Sequence, residues 1–301
     1  MSSAAPVAET SGTRVLLQVK PSAASSCITT IDEPSQAYRD PAVPQKGLLA
    51  VFLPGTGGFP AQFPAFVQRG AARGYHSIGL AYNNGTSVNA TCNGPITDAD
   101  CAGAVREETF SGRETSALVS VSREDSIEGR LIALLKYLSF HRPGDGWSQY
   151  LDAQGSVLWD KVSLSGNSQG AGHAGYISKV RRVYRVGLYA GPSDWVLVTN
   201  VPANWYGLSS QTPAAAIFGL VHVPDTLANA SGDLNQVTSV WGAVDKFNMT
   251  GPITNVANGT PPYGGSHRLT TTACVSLDAT NQHNCPMFRG NEVVWDVVSF
   301  P

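Results

Sequence analysis

A serine with glycines two positions to either side, Gly166-Asn167-Ser168-Gln169-Gly170, is the group in this chain best suited to covalent chemistry. Glycine at both ends lets the backbone turn where a side chain would collide, so the pattern sets a serine at the apex of a tight strand-to-helix elbow. The flanks agree: Trp159 to Ser165 reads as a strand, and Ala171 to Val180 begins with small residues and continues in helix-compatible ones. Ser168 is the candidate nucleophile. Its hydroxyl is weak at its own pKa. It needs a base within hydrogen-bond reach, and the base needs a carboxylate to orient it.

Six histidines are available. His173 lies five residues beyond Ser168 on the following helix, roughly 140° around the axis, and faces away. His76 and His141 precede the elbow, against the nucleophile–acid–base chain order expected of such a turn. His222 has apolar neighbours at a strand end and reads as a core histidine. His283 lies between two cysteines and reads as a surface residue. His267, in the loop Pro261-Pro262-Tyr263-Gly264-Gly265-Ser266-His267, is expected to be the base, reaching over the sheet after its last strand. Asp225, just past the strand that begins near Ala214, is the expected acid; Asp194 and then Asp245 are the alternatives. Pro224-Asp225-Thr226 would also suit a turn cap.

Acyl transfer also requires donors for the developing oxyanion. The backbone N–H of Gln169, next to the nucleophile, is one. The second is expected from Pro54-Gly55-Thr56-Gly57-Gly58, with Thr56 preferred over Gly57. This glycine run lacks the Gly-Lys-Ser/Thr ending of a phosphate-binding loop and the third glycine of a dinucleotide fingerprint.

The elements that must position these groups alternate between strand and helix. After a disordered start, strands are expected at Thr13–Val19, Gly47–Leu53, His76–Tyr82, the elbow strand, Val183–Ala190, Ala214–Val221 and Ile253–Val256. Helices are expected at Ala61–Gly74, after Ser122-Arg123-Glu124-Asp125 (with Ile127, Leu131, Leu134, Leu135 and Leu138 as its apolar stripe), after the elbow, and at Leu234–Val244. That alternation predicts one α/β domain over residues 1–301 with a doubly wound, mostly parallel sheet. The Trp- and Pro-rich stretch 194–212 has no period and reads as a small inserted cap.

Leu53-Pro54-Gly55-Thr56-Gly57-Gly58, Gly74-Tyr75-His76-Ser77-Ile78-Gly79-Leu80-Ala81-Tyr82, the elbow, and Pro262-Tyr263-Gly264-Gly265-Ser266-His267 together make the chain resemble the α/β-hydrolase superfamily over most of its length. More narrowly, they resemble a group of bacterial exported hydrolases. The resemblance implies a Ser–acid–His triad and hydrolysis of esters, thioesters or amides without a cofactor. Asn167 stands where many esterases of the superfamily carry His or Asp, which leaves substrate preference open.

Composition narrows the rest. With 42% hydrophobic and 14% charged residues the chain can bury a large core, and a net charge of −2 gives no basic face for nucleic acid. No run reaches the roughly eighteen apolar residues of a membrane span, and no signal peptide is visible at Met1–Pro6. Cys92 with Cys101, and Cys274 with Cys285, bracket short loops that disulfides would staple, leaving Cys27 over. The pairing points to a secreted or periplasmic protein. Asn84, Asn89, Asn229, Asn248 and Asn258 head glycosylation sequons that matter only in a eukaryotic secretory host.

The expected function is carboxylic-ester hydrolysis through an acyl-enzyme, acting on a small-molecule or polymeric ester. A peptidase, acyltransferase or polyester depolymerase on the same frame is the alternative, and a binding protein with a degenerate site is the non-enzymatic one. No metal or cofactor is expected, and the oligomeric state is left open.

Overall fold

Leu49, Val51 and Leu53 pack into one hydrophobic cluster, while Ala50 and Phe52 between them pack into another. A strand whose successive side chains are buried on opposite faces must lie inside a sheet covered on both sides. In the computed structural model, which describes residues 5–11, 14–92, 98–196, 198–199, 201–227, 245–274 and 278–301, this strand lies near the middle of a ten-stranded sheet.

In chain order the strands are β1 (Val7–Ser11), β2 (Arg14–Val19), β3 (Ser35–Arg39), β4 (Leu49–Leu53), β5 (His76–Gly79), β6 (Val162–Asn167), β7 (Arg185–Tyr189), β8 (Trp195–Val196), β9 (Val201–Pro202), β10 (Ile217–His222), β11 (Thr254–Asn255) and β12 (Arg268–Thr271). Across the sheet they run β1-β2-β3-β5-β4-β6-β7-β10-β12-β11, with β8 and β9 forming a separate two-residue hairpin. From β5 to β11 all neighbours are parallel. The β1, β2 and β3 edge is antiparallel. This order, with a serine elbow leaving the central strand β6, is that of the α/β-hydrolase fold.

The helices are α1 (Pro21–Ala24), α2 (Pro64–Ala72), α3 (Val88–Cys92), α4 (Cys101–Ser111), α5 (Ile127–His141), α6 (Gln169–Val180), α7 (Ala279–Asn284) and α8 (Glu292–Val298). Helices α4, α5 and α6 supply the cluster on one face, through residues such as Phe110, Leu131, Leu135 and Ile177. Helices α2 and α8 cover the other, where Phe66 meets Trp295 edge-on at 5.3 Å.

Several sequence expectations change here. The start is not disordered throughout: Val7–Ser11 pairs antiparallel with β2. β3 escapes a pattern reading because Ser35-Gln36-Ala37-Tyr38-Arg39 carries few apolar residues. The long helix begins at Ile127, five residues after Ser122, with Ser126 as its cap: Ser126 Oγ accepts from Gly129 N. The last core strand is β12, not the Ile253–Val256 segment, which contributes only the two-residue outer strand β11. The helix expected at Leu234–Val244 lies outside the described residues, as does Asn229.

Candidate active site

Strands β4, β6, β10 and β12 end at the same edge of the sheet, the edge where α/β proteins collect their chemistry. Ser168 leaves β6 with φ 55° and ψ −118°, a left-handed conformation that costs a non-glycine residue energy and that the surrounding turn must hold. The two glycines are needed for close approach. A Cβ on Gly166 would come within 2.1 Å of the Gly170 backbone, and one on Gly170 within 2.0 Å of Leu53 O. The elbow is thereby pressed against the end of β4. Gly55 of the following loop also approaches closely, though less tightly: its Cβ would meet Ser168 Cβ at 3.1 Å.

Ser168 lines a cleft of about 580 Å³ together with Thr56, Gln169, Asn167, Asn284 and His283. Thr56 Oγ1 donates to Gln169 Oε1 at 2.8 Å, tying the glycine loop to the first residue of α6. The N–H of Gly57 is committed to Asn84 O and that of Gly58 to Gly55 O. The N–H groups of Thr56 and Gln169 have no acceptor among the described residues. Both residues line the cleft with Ser168.

Asp225 follows β10 and is fully buried. Its Oδ1 accepts from Leu227 N at 2.9 Å, and its Oδ2 lies 2.7 Å from Nδ1 of His283. His283 sits near the end of α7, after β12, and is buried rather than on the surface. A carboxylate at Nδ1 makes that nitrogen the donor, so Nε2 is left as the ring's proton acceptor. Two restraints hold the helix in place. Asn167 Nδ2, on the residue before the nucleophile, donates to Asn284 Oδ1 at 2.8 Å. The Cys274–Cys285 disulfide joins the exit of β12 to the end of α7.

His267 is not beside Ser168. It immediately precedes β12 and so lies at the opposite edge of the sheet, stacked on Phe218 at 3.8 Å between ring centroids. Its Nδ1 faces the carbonyls of Ala214 and Ile217 at 3.3 and 3.1 Å, and it lines a different cavity. The expectation failed because Arg268-Leu269-Thr270-Thr271 has one large apolar residue and does not read as a core strand. Without β12 in view, His267 stood after the sheet's last strand. The signal that pointed to His283 was present: it follows Asp225 in the chain and sits inside a stapled loop.

The alternative acid, Asp194, also lines the cleft, but its carboxylate is engaged. Arg106 donates to both of its oxygens, the Nη2 contact measuring 2.6 Å, and Trp205 Nε1 adds a third bond at 2.8 Å. Arg106 also reaches Gln169 O at 3.3 Å, and Gly172 is bare because any Cβ there would strike the guanidinium. This buried ion pair braces the start of α6. Asp245 lies in a short turn at 245–247.

The other histidines have structural surroundings. His76 is held between Asp145 O and Tyr150 OH, each at 2.7 Å. His173 is fully buried, edge-on to Tyr82, and burial holds its pKa well below the usual 6.5. His222 is buried next to Asp225, and burial lowers its pKa too. Cys92 and Cys101 are bonded as expected, and Cys27 is exposed and unpaired. In the stretch 194–212, Trp205 and Tyr206 are buried against the body of the domain. No described helix is long and apolar enough to cross a membrane.

No protein-family model matches the chain, and no curated protein matches it. Among solved structures it is similar to a dienelactone-hydrolase candidate from Klebsiella pneumoniae, at 10% identity over 93% of this chain and 94% of that one, TM-score 0.45. It is also similar to esterase B from Lactobacillus rhamnosis, at 12% identity over 87% and 76% of the two chains, TM-score 0.43. A cold-adapted esterase from an Arctic intertidal metagenomic library aligns at 12% identity over 97% of both, TM-score 0.43. At such identities and scores nothing carries across from them; the fold rests on the strand order and the elbow.

Proposed function

We propose that the chain is a serine hydrolase that cleaves carboxylic esters through an acyl-enzyme, with Ser168 as nucleophile, His283 as base and Asp225 as its orienting acid. The observation that carries this reading is the Asp225–His283 contact of 2.7 Å, in a cleft shared with a serine at the apex of a strained elbow. His283 takes the place in the triad that the sequence suggested for His267.

In this scheme His283 Nε2 accepts the Ser168 hydroxyl proton as Oγ attacks the ester carbonyl. The oxyanion that forms is held by the N–H groups of Gln169 and Thr56. The imidazolium, stabilised by Asp225, gives its proton to the departing alkoxide and leaves an acyl-serine. Water, deprotonated by the same histidine, attacks the acyl-serine and releases the acid.

The two disulfides support an oxidising compartment, and we place the protein's work outside the cytoplasm. A fluorophosphonate probe tests the core of the reading. It should label the wild-type protein at Ser168, and labelling should vanish in Ser168→Ala. Labelling at another serine, or none in a folded wild type, overturns it. A panel of p-nitrophenyl esters, peptides and polyester film then sets ester hydrolysis against the peptidase and depolymerase alternatives.

A further inference from the structure

The cavity that His267 does line is built with more chemistry than packing requires. It measures about 370 Å³ and is bounded by Arg73, Arg185, Phe218, Gly265, His267 and Asp296. It lies at the edge of the sheet where β7, β10 and β12 begin, and among the described residues shares no lining residue with the Ser168 cleft. The Arg185 guanidinium stands 3.7 Å from the centre of the Phe218 ring, and the His267 imidazole 3.8 Å from it at 24°. Two groups that close to one ring centre must occupy its opposite faces. Phe218 is therefore sandwiched between a cation and an imidazole.

Arg185 gives Nε and Nη2 to the carbonyls of Val298 and Val297, at the end of α8. It is half-buried and has no carboxylate partner among the described residues. A half-buried guanidinium that meets only carbonyls and a ring face keeps donors free for an anion. Of the anionic groups lining the cavity among the described residues, Asp296 is already shared by Arg69 and Arg73, and the Pro301 carboxyl accepts from Lys46 and Tyr75. His267 completes the set. Both carbonyls at its Nδ1 require that nitrogen to carry the proton, so Nε2 is an acceptor. Burial, assisted by Arg185, lowers the ring's pKa and keeps it neutral at pH 7.

We propose that this cavity is a second ligand site, separate from the ester-cleaving cleft, and that it takes a short hydroxycarboxylate. The carboxylate would pair with Arg185. The hydroxyl would donate to His267 Nε2. A thickness of phenyl ring separates each group from the ring centre, which favours a hydroxyl set apart from the carboxylate over one on the adjacent carbon.

Titration calorimetry on the full chain tests this, with 3-hydroxybutyrate, butyrate and inorganic phosphate as probes. The hydroxy acid should bind roughly fivefold to tenfold more tightly than butyrate, the worth of one hydrogen bond. His267→Phe keeps the stack and removes the acceptor, so the hydroxy acid should fall to the level of butyrate. Arg185→Gln should abolish binding of both, and Ser168→Ala should leave both unchanged. The proposal is overturned if 3-hydroxybutyrate produces no binding heat, if phosphate binds as tightly as it does, or if His267→Phe leaves its affinity intact. It fails as well if binding is lost in Ser168→Ala, which would put the ligand in the other cleft. None of these outcomes depends on whether Ser168 is catalytic.

Discussion

His267 and His283 stand on either side of the same four-residue strand, yet they have opposite surroundings. His267 enters β12 and His283 follows it, so the strand carries the chain from one edge of the sheet to the other between them. At the entry edge, His267 has carbonyl oxygens at Nδ1 and a phenyl ring across its face. At the exit edge, His283 has a buried carboxylate at Nδ1 and shares a cleft with the elbow serine. Both arrangements fix the tautomer. Only the carboxylate also stabilises the ring once it has taken a proton, and that is what a general base requires. The difference is one of position along a strand, which is why the identity of the last strand decides which histidine is proposed as the base.

The strongest way to break the contrast is to remove the proposed nucleophile at the exit edge. Ser168→Ala should lower kcat by roughly 10⁴ to 10⁶-fold with the fold intact. Steady-state kinetics and a melting curve read both halves of that statement.

The acids sharpen it next. Asp225→Asn keeps the shape but loses the charge that holds His283, and kcat should fall by roughly 10³ to 10⁴-fold with little change in Tm. Asp194→Asn should do the reverse. It leaves Arg106 buried without its partner and should cost about 3 to 5 kcal/mol of stability. Denaturant unfolding alongside kinetics separates the two. A crippled kcat with unchanged stability in Asp194→Asn would make Asp194 the acid.

A smaller effect is expected from the restraints on α7. Asn284→Ala removes the bond from Asn167 that ties the base-bearing helix to the elbow. Misplacing a catalytic group slightly should lower kcat about tenfold while KM holds. Mild reduction of Cys274–Cys285 should act in the same direction. It also removes a loop restraint worth roughly 2.5 to 3 kcal/mol in the chain-entropy account. A lower melting temperature, with activity already reduced well below the transition, is the expected outcome.

The smallest effect concerns pH. His173 is held neutral in the folded chain, while the unfolded chain takes up its proton near 6.5. The unfolded state therefore binds more protons below that pH, so the stability due to this group is complete above pH 6.5 and declines as pH falls below it. Melting temperatures between pH 7 and 5 should drop, and His173→Phe should make the decline shallower.

Much of this arrangement was legible in the residues. Gly166, Ser168 and Gly170 marked the elbow because steric exclusion is written in glycine spacing. The buried strands β4 and β10 showed as unbroken apolar runs. Asp225 could be placed because it follows one of them. What could not be read was β12, whose Arg-Leu-Thr-Thr is buried largely by what its neighbours provide. Nor could spacing show that Asp194 is spoken for, since its partner Arg106 lies 88 residues away. His283 looked like a surface residue because its stretch is polar. It is buried there because Asp225 and the disulfide draw α7 down onto the cleft.

The central claim is that the base is His283 and not His267, and matched kinetics on His283→Ala and His267→Ala test it most directly. With both variants folded, His283→Ala should lose about as much turnover of a p-nitrophenyl ester as Ser168→Ala, because a triad acts as a unit, and His267→Ala should turn over near the wild-type rate. An inactive His267→Ala beside a fully active His283→Ala would contradict the account.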